Sequence, residues 1–64
     1  MRGTVTAFDK EVGLGEITRD DGRVVPFHCI AIADGSRDIP VGAEVEFDLM
    51  SKLGRHEADH VVPI

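Results

Sequence analysis

The chain has 64 residues, 42% hydrophobic and 30% charged, which describes one small domain and excludes a two-domain enzyme. At this size folding buries only about 60% of the unfolded surface, so the core is marginal and few residues are spare for function. Seven Lys and Arg against twelve Asp and Glu leave a formal net charge of −5, so phosphate backbones are not attracted globally and any nucleic-acid binding has to come from a local basic patch or from base stacking.

In chain order, Thr4-Val5-Thr6-Ala7-Phe8 is β-branched and aromatic and reads as a strand, and Asp9-Lys10-Glu11-Val12-Gly13 reads as a turn. Residues 14–18 alternate, with Gly15 and Ile17 on one face and Leu14, Glu16 and Thr18 on the other, which predicts a second strand. Asp20-Asp21-Gly22 is a strong turn signal followed at once by Val24-Val25, so the second and third strands are expected to form a hairpin. Residues 31–40 mix Ala, Asp, Gly, Ser and Pro without a lasting period and read as a loop holding at most one helical turn. From 43 to 50 the period is two: Val45, Phe47 and Leu49 share one face, and Glu44, Glu46 and Asp48 share the other. Ser51-Lys52-Leu53-Gly54 turns the chain, and residues 57–62 return as a fifth strand. Five short strands with tight turns predict an all-β fold, a small five-stranded antiparallel barrel, closed or nearly closed, with Val5, Ile17, Val25, Val45, Phe47 and Leu49 inside.

No run approaches the roughly 18 apolar residues of a membrane span, and Met1-Arg2-Gly3-Thr4 lacks the apolar stretch of a secretory signal, so a cytoplasmic protein without membrane contact is expected. Cys29, the single cysteine, allows no internal disulfide, which suits a reducing compartment.

The residues together resemble a cold-shock domain, an OB-like Greek-key barrel that binds single-stranded nucleic acid. Met1-Arg2-Gly3-Thr4-Val5 with Phe8-Asp9 resembles the family's opening Gly-x-Val-Lys-Trp-Phe-Asn. Gly13-Leu14-Gly15-Glu16-Ile17 stands where the family has Gly-Phe-Gly-Phe-Ile, its first ribonucleoprotein motif, and Asp20-Asp21-Gly22 repeats its hairpin turn. Val25-Pro26-Phe27-His28-Cys29 falls on the second motif, Val-Phe-Val-His-Phe, and Ala31-Ile32 on the Ala-Ile after it. Gly42, Val45-Glu46-Phe47, Ala58 and Val61 match the second half, so the likeness runs from Gly3 to about Val61 with one residue missing near Ala33-Asp34.

The resemblance implies a stacking face, and there this chain departs from the pattern. Positions that hold rings in the family hold Ala7, Leu14, Glu16, Pro26, Cys29 and Ser36, and two basic positions beside them hold Thr6 and Val12. His28 is retained, with Phe8 beside it, while Phe27 shares the parity of Val25 and is expected to face the core. The candidate nucleic-acid-binding residues are therefore Phe8, Leu14, Pro26 and His28, together with Arg37 from the scattered cations Arg2, Arg19, Arg23, Arg37, Lys52 and Arg55 that would rim a groove. At about 1–3 kcal/mol per stacked base, loss of several rings predicts weak binding of single-stranded RNA or DNA, at micromolar level or weaker and falling steeply with salt. The alternative is a protein-interaction or self-association module, binding a protein partner or forming a homodimer through the apolar Leu14, Pro26 and Cys29.

His56-Glu57-Ala58-Asp59-His60 matches His-Glu-x-x-His, which on a helix places two histidines on one face to hold zinc. Here the segment reads as a strand, where four residues at about 3.3 Å each set the two histidines about 13 Å apart, too far to share an ion. Gly54 before it and Pro63 after it leave no helix of adequate length. Cys29 and His28, adjacent on a strand, would point to opposite faces. No catalytic residue, metal or cofactor is expected, and the chain reads as a non-enzyme.

Overall fold

Short β-branched and aromatic stretches between glycine-bearing turns give five strands, β1 (Arg2–Asp9), β2 (Leu14–Arg19), β3 (Val24–His28), β4 (Glu44–Lys52) and β5 (Arg55–Pro63), with one short 3-10 turn at Cys29–Ala31. This computed structural model describes residues 1–52 and 54–64, and of Lys52 the backbone alone. The expected turn at residues 51–54 therefore lies partly outside the described residues. The strands form one antiparallel sheet in the order β3-β2-β1-β4-β5. The helical turn stands at the end of β3 rather than within residues 31–40, and β1 and β5 are longer than the sequence predicts.

The five antiparallel strands are as expected; of the expected closed or nearly closed barrel, full closure is not found, because the sheet does not close. Among the described residues β3 and β5 pack side by side without a hydrogen-bonded ladder. Contact at that seam is made by the chain after β3: Ile32 bridges Val61 in parallel, and the Ala33 N–H donates to the Val61 carbonyl at 2.9 Å.

The inner face carries Val5, Ile17, Val25, Phe27, Val45 and Phe47, all buried, joined by Ala58 and Val61 of β5. Ile32 and Ile39 reach the core from the long loop, which the absence of a period did not reveal. Leu49 is only half-buried and packs on the rim, because β4 at that level has left the centre of the sheet.

Two bulges decide which side chains share a face. In β1 the pairing steps from Val5–Ile17 to Ala7–Glu16, leaving Thr6 extra. Its hydroxyl lies 3.0 Å from that of Thr18 and donates to the Glu16 carbonyl at 3.4 Å, so Thr6 stays on the outer face and Phe8 crosses to the inner one. In β5 the step from Val62 to Asp59 opposite Glu46 and Asp48 sets His60 and Val61 against Phe47 alone. His60 takes a left-handed backbone, φ +53°, which lets Ala58 and Val61, three residues apart, both face inward.

Candidate nucleic-acid interface

Residues directly opposed across antiparallel strands point to the same side, so the pairings of β1, β2 and β3 define rows. Ala7, Glu16 and Pro26 form one outer row, and Asp9, Leu14 and His28 form the next. Between them, on the inner side, run Phe8, Gly15 and Phe27. The two rings stack with centroids 5.9 Å apart and planes 3° from parallel. They meet across Gly15, where a Cβ would sit 2.5 Å from Cζ of Phe27 and 2.9 Å from the Ala7 carbonyl oxygen. The glycine is thus required by close approach.

The rows and β5 enclose an open groove of about 490 Å³, lined by Ala7, Phe8 and Asp9 of β1, Leu14, Gly15 and Glu16 of β2, Pro26, Phe27 and His28 of β3, and Arg55 and Glu57 of β5. It lies where β3 and β5 adjoin without a hydrogen-bonded ladder. Leu14, 46% exposed, presents an apolar wall, and the Phe8–Phe27 stack forms the floor.

Three carboxylates, Asp9, Glu16 and Glu57, face one guanidinium, Arg55, and one imidazole, His28. Glu57, its side chain mostly buried, holds an oxygen 3.9 Å from Nε2 of His28. Oδ1 of Asp9 accepts the N–H groups of Glu11 and Val12 at 3.1 and 3.2 Å, which fixes the β1–β2 turn. Glu16 has no hydrogen-bond or ion-pair partner for its carboxylate among the described residues.

Of the residues singled out from the sequence, Phe8, Leu14, Pro26 and His28 come together in this groove. Arg37 does not line it. It stands exposed in the loop after Ile32 with φ +56°. Among the rimming cations whose side chains are described, Arg55 lines the groove, whereas Arg2, Arg19 and the further cation Lys10 pair with Glu46, Asp21 and Asp38. Cys29 packs on the core beside Gly13 rather than on the face shared by Leu14 and Pro26. Ser36 is used within its own loop, donating from its amide to Asp34 at 2.9 Å and from its hydroxyl to the Asp38 carbonyl at 2.9 Å. The hydrogen bond from the Ser36 amide holds the Asp34 carboxyl below its ordinary range.

Asp9 and Glu57 were not singled out. Glu57 is marked in the sequence only by the His-Glu-x-x-His match, and nothing local ties it to the groove, which it reaches because β5 folds back against β3. The His56–His60 segment lies in β5, a strand, as its flanking residues predict, and His56 pairs with Ser51. No group of His, Cys, Asp and Glu suited to a metal ion occurs among the described residues.

Comparison with known proteins gives one consistent answer. The family profile described as the "'Cold-shock' DNA-binding domain" matches residues 1–64. The chain is 38% identical over 65 residues to the cold shock-like protein CspC of Bacillus cereus, covering all of both chains. It is 39% identical over 62 residues to a cold shock-like protein of Thermotoga maritima, covering 95% of this chain and 94% of that one. Among solved structures, the drosophila Unr fragment CSD456 superposes with a TM-score of 0.76 at 26% identity, over 98% of this chain and 26% of that longer one. A profile that runs the length of the chain, relatives of the same length and a five-stranded OB-like sheet agree with the motifs in β1 to β3: the chain belongs to the cold-shock domain family, whose members bind nucleic acid.

Proposed function

We propose that the chain is a non-enzymatic, cytoplasmic binder of single-stranded RNA or DNA, and that it binds weakly. The observation that carries this reading is the outer face of β1, β2 and β3, where Leu14, Pro26 and His28 line an open groove beside Arg55 at positions the family uses for bases. Weakness follows from what fills the rows. Ala7, Leu14, Glu16 and Pro26 offer no ring, and the only ring pair in the groove is the floor stack of Phe8 and Phe27, whose faces are turned to each other.

The test is a titration of labelled oligothymidine at low salt. Dissociation constants at micromolar level or weaker are expected for the parent. Leu14→Phe with Glu16→Phe sets two rings on adjacent outer rows and removes a carboxylate, so a gain of about 2–4 kcal/mol is expected, with Glu16→Gln as the control for charge alone. Nanomolar binding by the parent, or a double variant no better than the glutamine control, would contradict the reading.

A second reading, a protein-interaction surface, draws on the same apolar wall: Leu14 is 46% exposed beside Pro26. Concentration-dependent self-association in a sizing experiment, lost on Leu14→Lys and without oligonucleotide binding, would favour it.

A further inference from the structure

We propose that Glu16 makes the groove selective for guanine, its two carboxylate oxygens accepting the N1–H and N2–H₂ donors of one base in a bound single strand. The inference rests on the single-strand reading above and names its base preference.

Glu16 occupies the middle of the outer face. The residues directly opposite it are Ala7 on β1 and Pro26 on β3. Neither side chain donates a hydrogen bond, and Pro26 has no N–H. The nearby hydroxyls are those of Thr6 and Thr18; that of Thr6 is directed to the Glu16 backbone carbonyl and lies 3.0 Å from that of Thr18, and neither is bonded to the Glu16 carboxylate. The ion pairs among the described residues join Arg2 to Glu46, Lys10 to Asp38, Arg19 to Asp21 and His28 to Glu57, and none involves Glu16. The carboxylate is therefore exposed and without a protein partner among the described residues, in a groove wide enough to admit a ligand.

An ionised carboxylate only accepts hydrogen bonds. A base that displaces its water must supply donors, or the charge is left desolvated and unpaired. Guanine alone among the bases presents two neighbouring N–H donors on its Watson–Crick edge, a match for two oxygens in one plane. Cytosine and adenine set an acceptor nitrogen beside their amino group, and thymine and uracil flank a single N–H with two carbonyls. Each of these brings a lone pair against the carboxylate. Bases in single strands are free to be read on this edge. Arg55, across the groove on β5, supplies the positive group for the adjoining phosphate, and Leu14 and Pro26 give the base an apolar flank.

The experiment compares labelled seven-residue oligothymidines carrying at their centre dT, dA, dC, dG or deoxyinosine, at low salt, against the parent, Glu16→Gln and Glu16→Ala. The expected result is binding about tenfold tighter for the dG oligomer than for dT, dA or dC, with deoxyinosine, which lacks the N2 amino group, in between. In both variants the dG advantage should disappear while the dT oligomer binds more tightly, because a repelling charge is gone. Equal binding of all five oligomers by the parent overturns the inference and leaves the single-strand reading standing. Binding of none overturns both. An arginine-bearing heptapeptide that binds the parent more tightly than any oligomer and loses affinity on Glu16→Gln would show that the carboxylate serves a cationic peptide, which also overturns guanine selectivity.

Discussion

At the scale of single residues, the core depends on two contacts that tolerate no change of volume. Phe47, 2% exposed, fills the inner face opposite the β5 bulge, and Phe47→Ala should cost about 3–5 kcal/mol. A domain of this size holds only roughly 3–10 kcal/mol in all, so that variant is expected to lose a large share of its stability, its Tm by circular dichroism falling by more than about 10 °C. Gly15 presents the opposite problem. A methyl group there would meet the Phe27 ring at 2.5 Å and the Ala7 backbone at 2.9 Å, and backbone does not move aside as a flexible side chain does. Gly15→Ala is expected to cost about 1–3 kcal/mol and to separate the Phe8–Phe27 stack, seen as altered ring shifts in proton NMR. If it melts with the parent, the rings do not meet across β2. The bulge at Thr6 turns Phe8, read from the sequence as a partner of His28, to the inner side, and Gly15 leaves room there for its ring to meet Phe27 as the floor of the groove.

At the scale of elements, the bulges carry information that alternation in the sequence does not. His60 adopts φ +53°, a conformation that costs a residue with a Cβ about 1–2 kcal/mol. Because its side chain is exposed, His60→Gly loses little contact and should stabilise the fold by about 0.5–1 kcal/mol, raising Tm by a few degrees, whereas the β-branched His60→Val should lower it. Equal melting of all three proteins would mean that β5 runs without a bulge. Strands β2 and β3, and β4 as far as Phe47, were legible residue by residue, since Gly15, Ile17, Val25, Phe27, Val45 and Phe47 follow a period of two without interruption. Where a bulge resets the phase, at Thr6 and His60, the period no longer says which side a residue takes. Ile32 and Ile39 were hidden for a different reason: they are buried by the path of a loop, and a loop has no period to read. Of the groove, Leu14, Pro26 and His28 were legible because they sit on uninterrupted strands within the resembling motifs. Glu57 came from a strand distant in sequence, and Arg37 fell outside the groove because its loop turns away.

At the scale of the whole molecule, the relevant quantity is where the excess negative charge sits relative to the groove. The Cα framework measures 25 × 24 × 17 Å, and the groove occupies the end of the sheet where β1 finishes. Asp20 and Glu44 lie in a hollow at the other end, beside Arg2, Gly3 and Thr4. Four strand residues from Thr4 to Phe8 span about 13 Å. The Debye length is about 30 Å at 0.01 M salt and about 8 Å at 0.15 M, so the far carboxylates repel a bound strand in the first condition and are screened in the second. Asp20→Asn with Glu44→Gln, which changes the formal charge from −5 to −3 and touches no groove residue, should therefore tighten oligothymidine binding severalfold at 0.01 M and leave it unchanged at 0.15 M. Binding by the parent should still weaken between 0.15 and 0.5 M, where only local cations such as Arg55 contribute and their release of counterions from phosphate is the term that salt opposes. An equal gain from the double variant at both salt concentrations would place those carboxylates in contact with the strand and the binding face at the wrong end of the sheet.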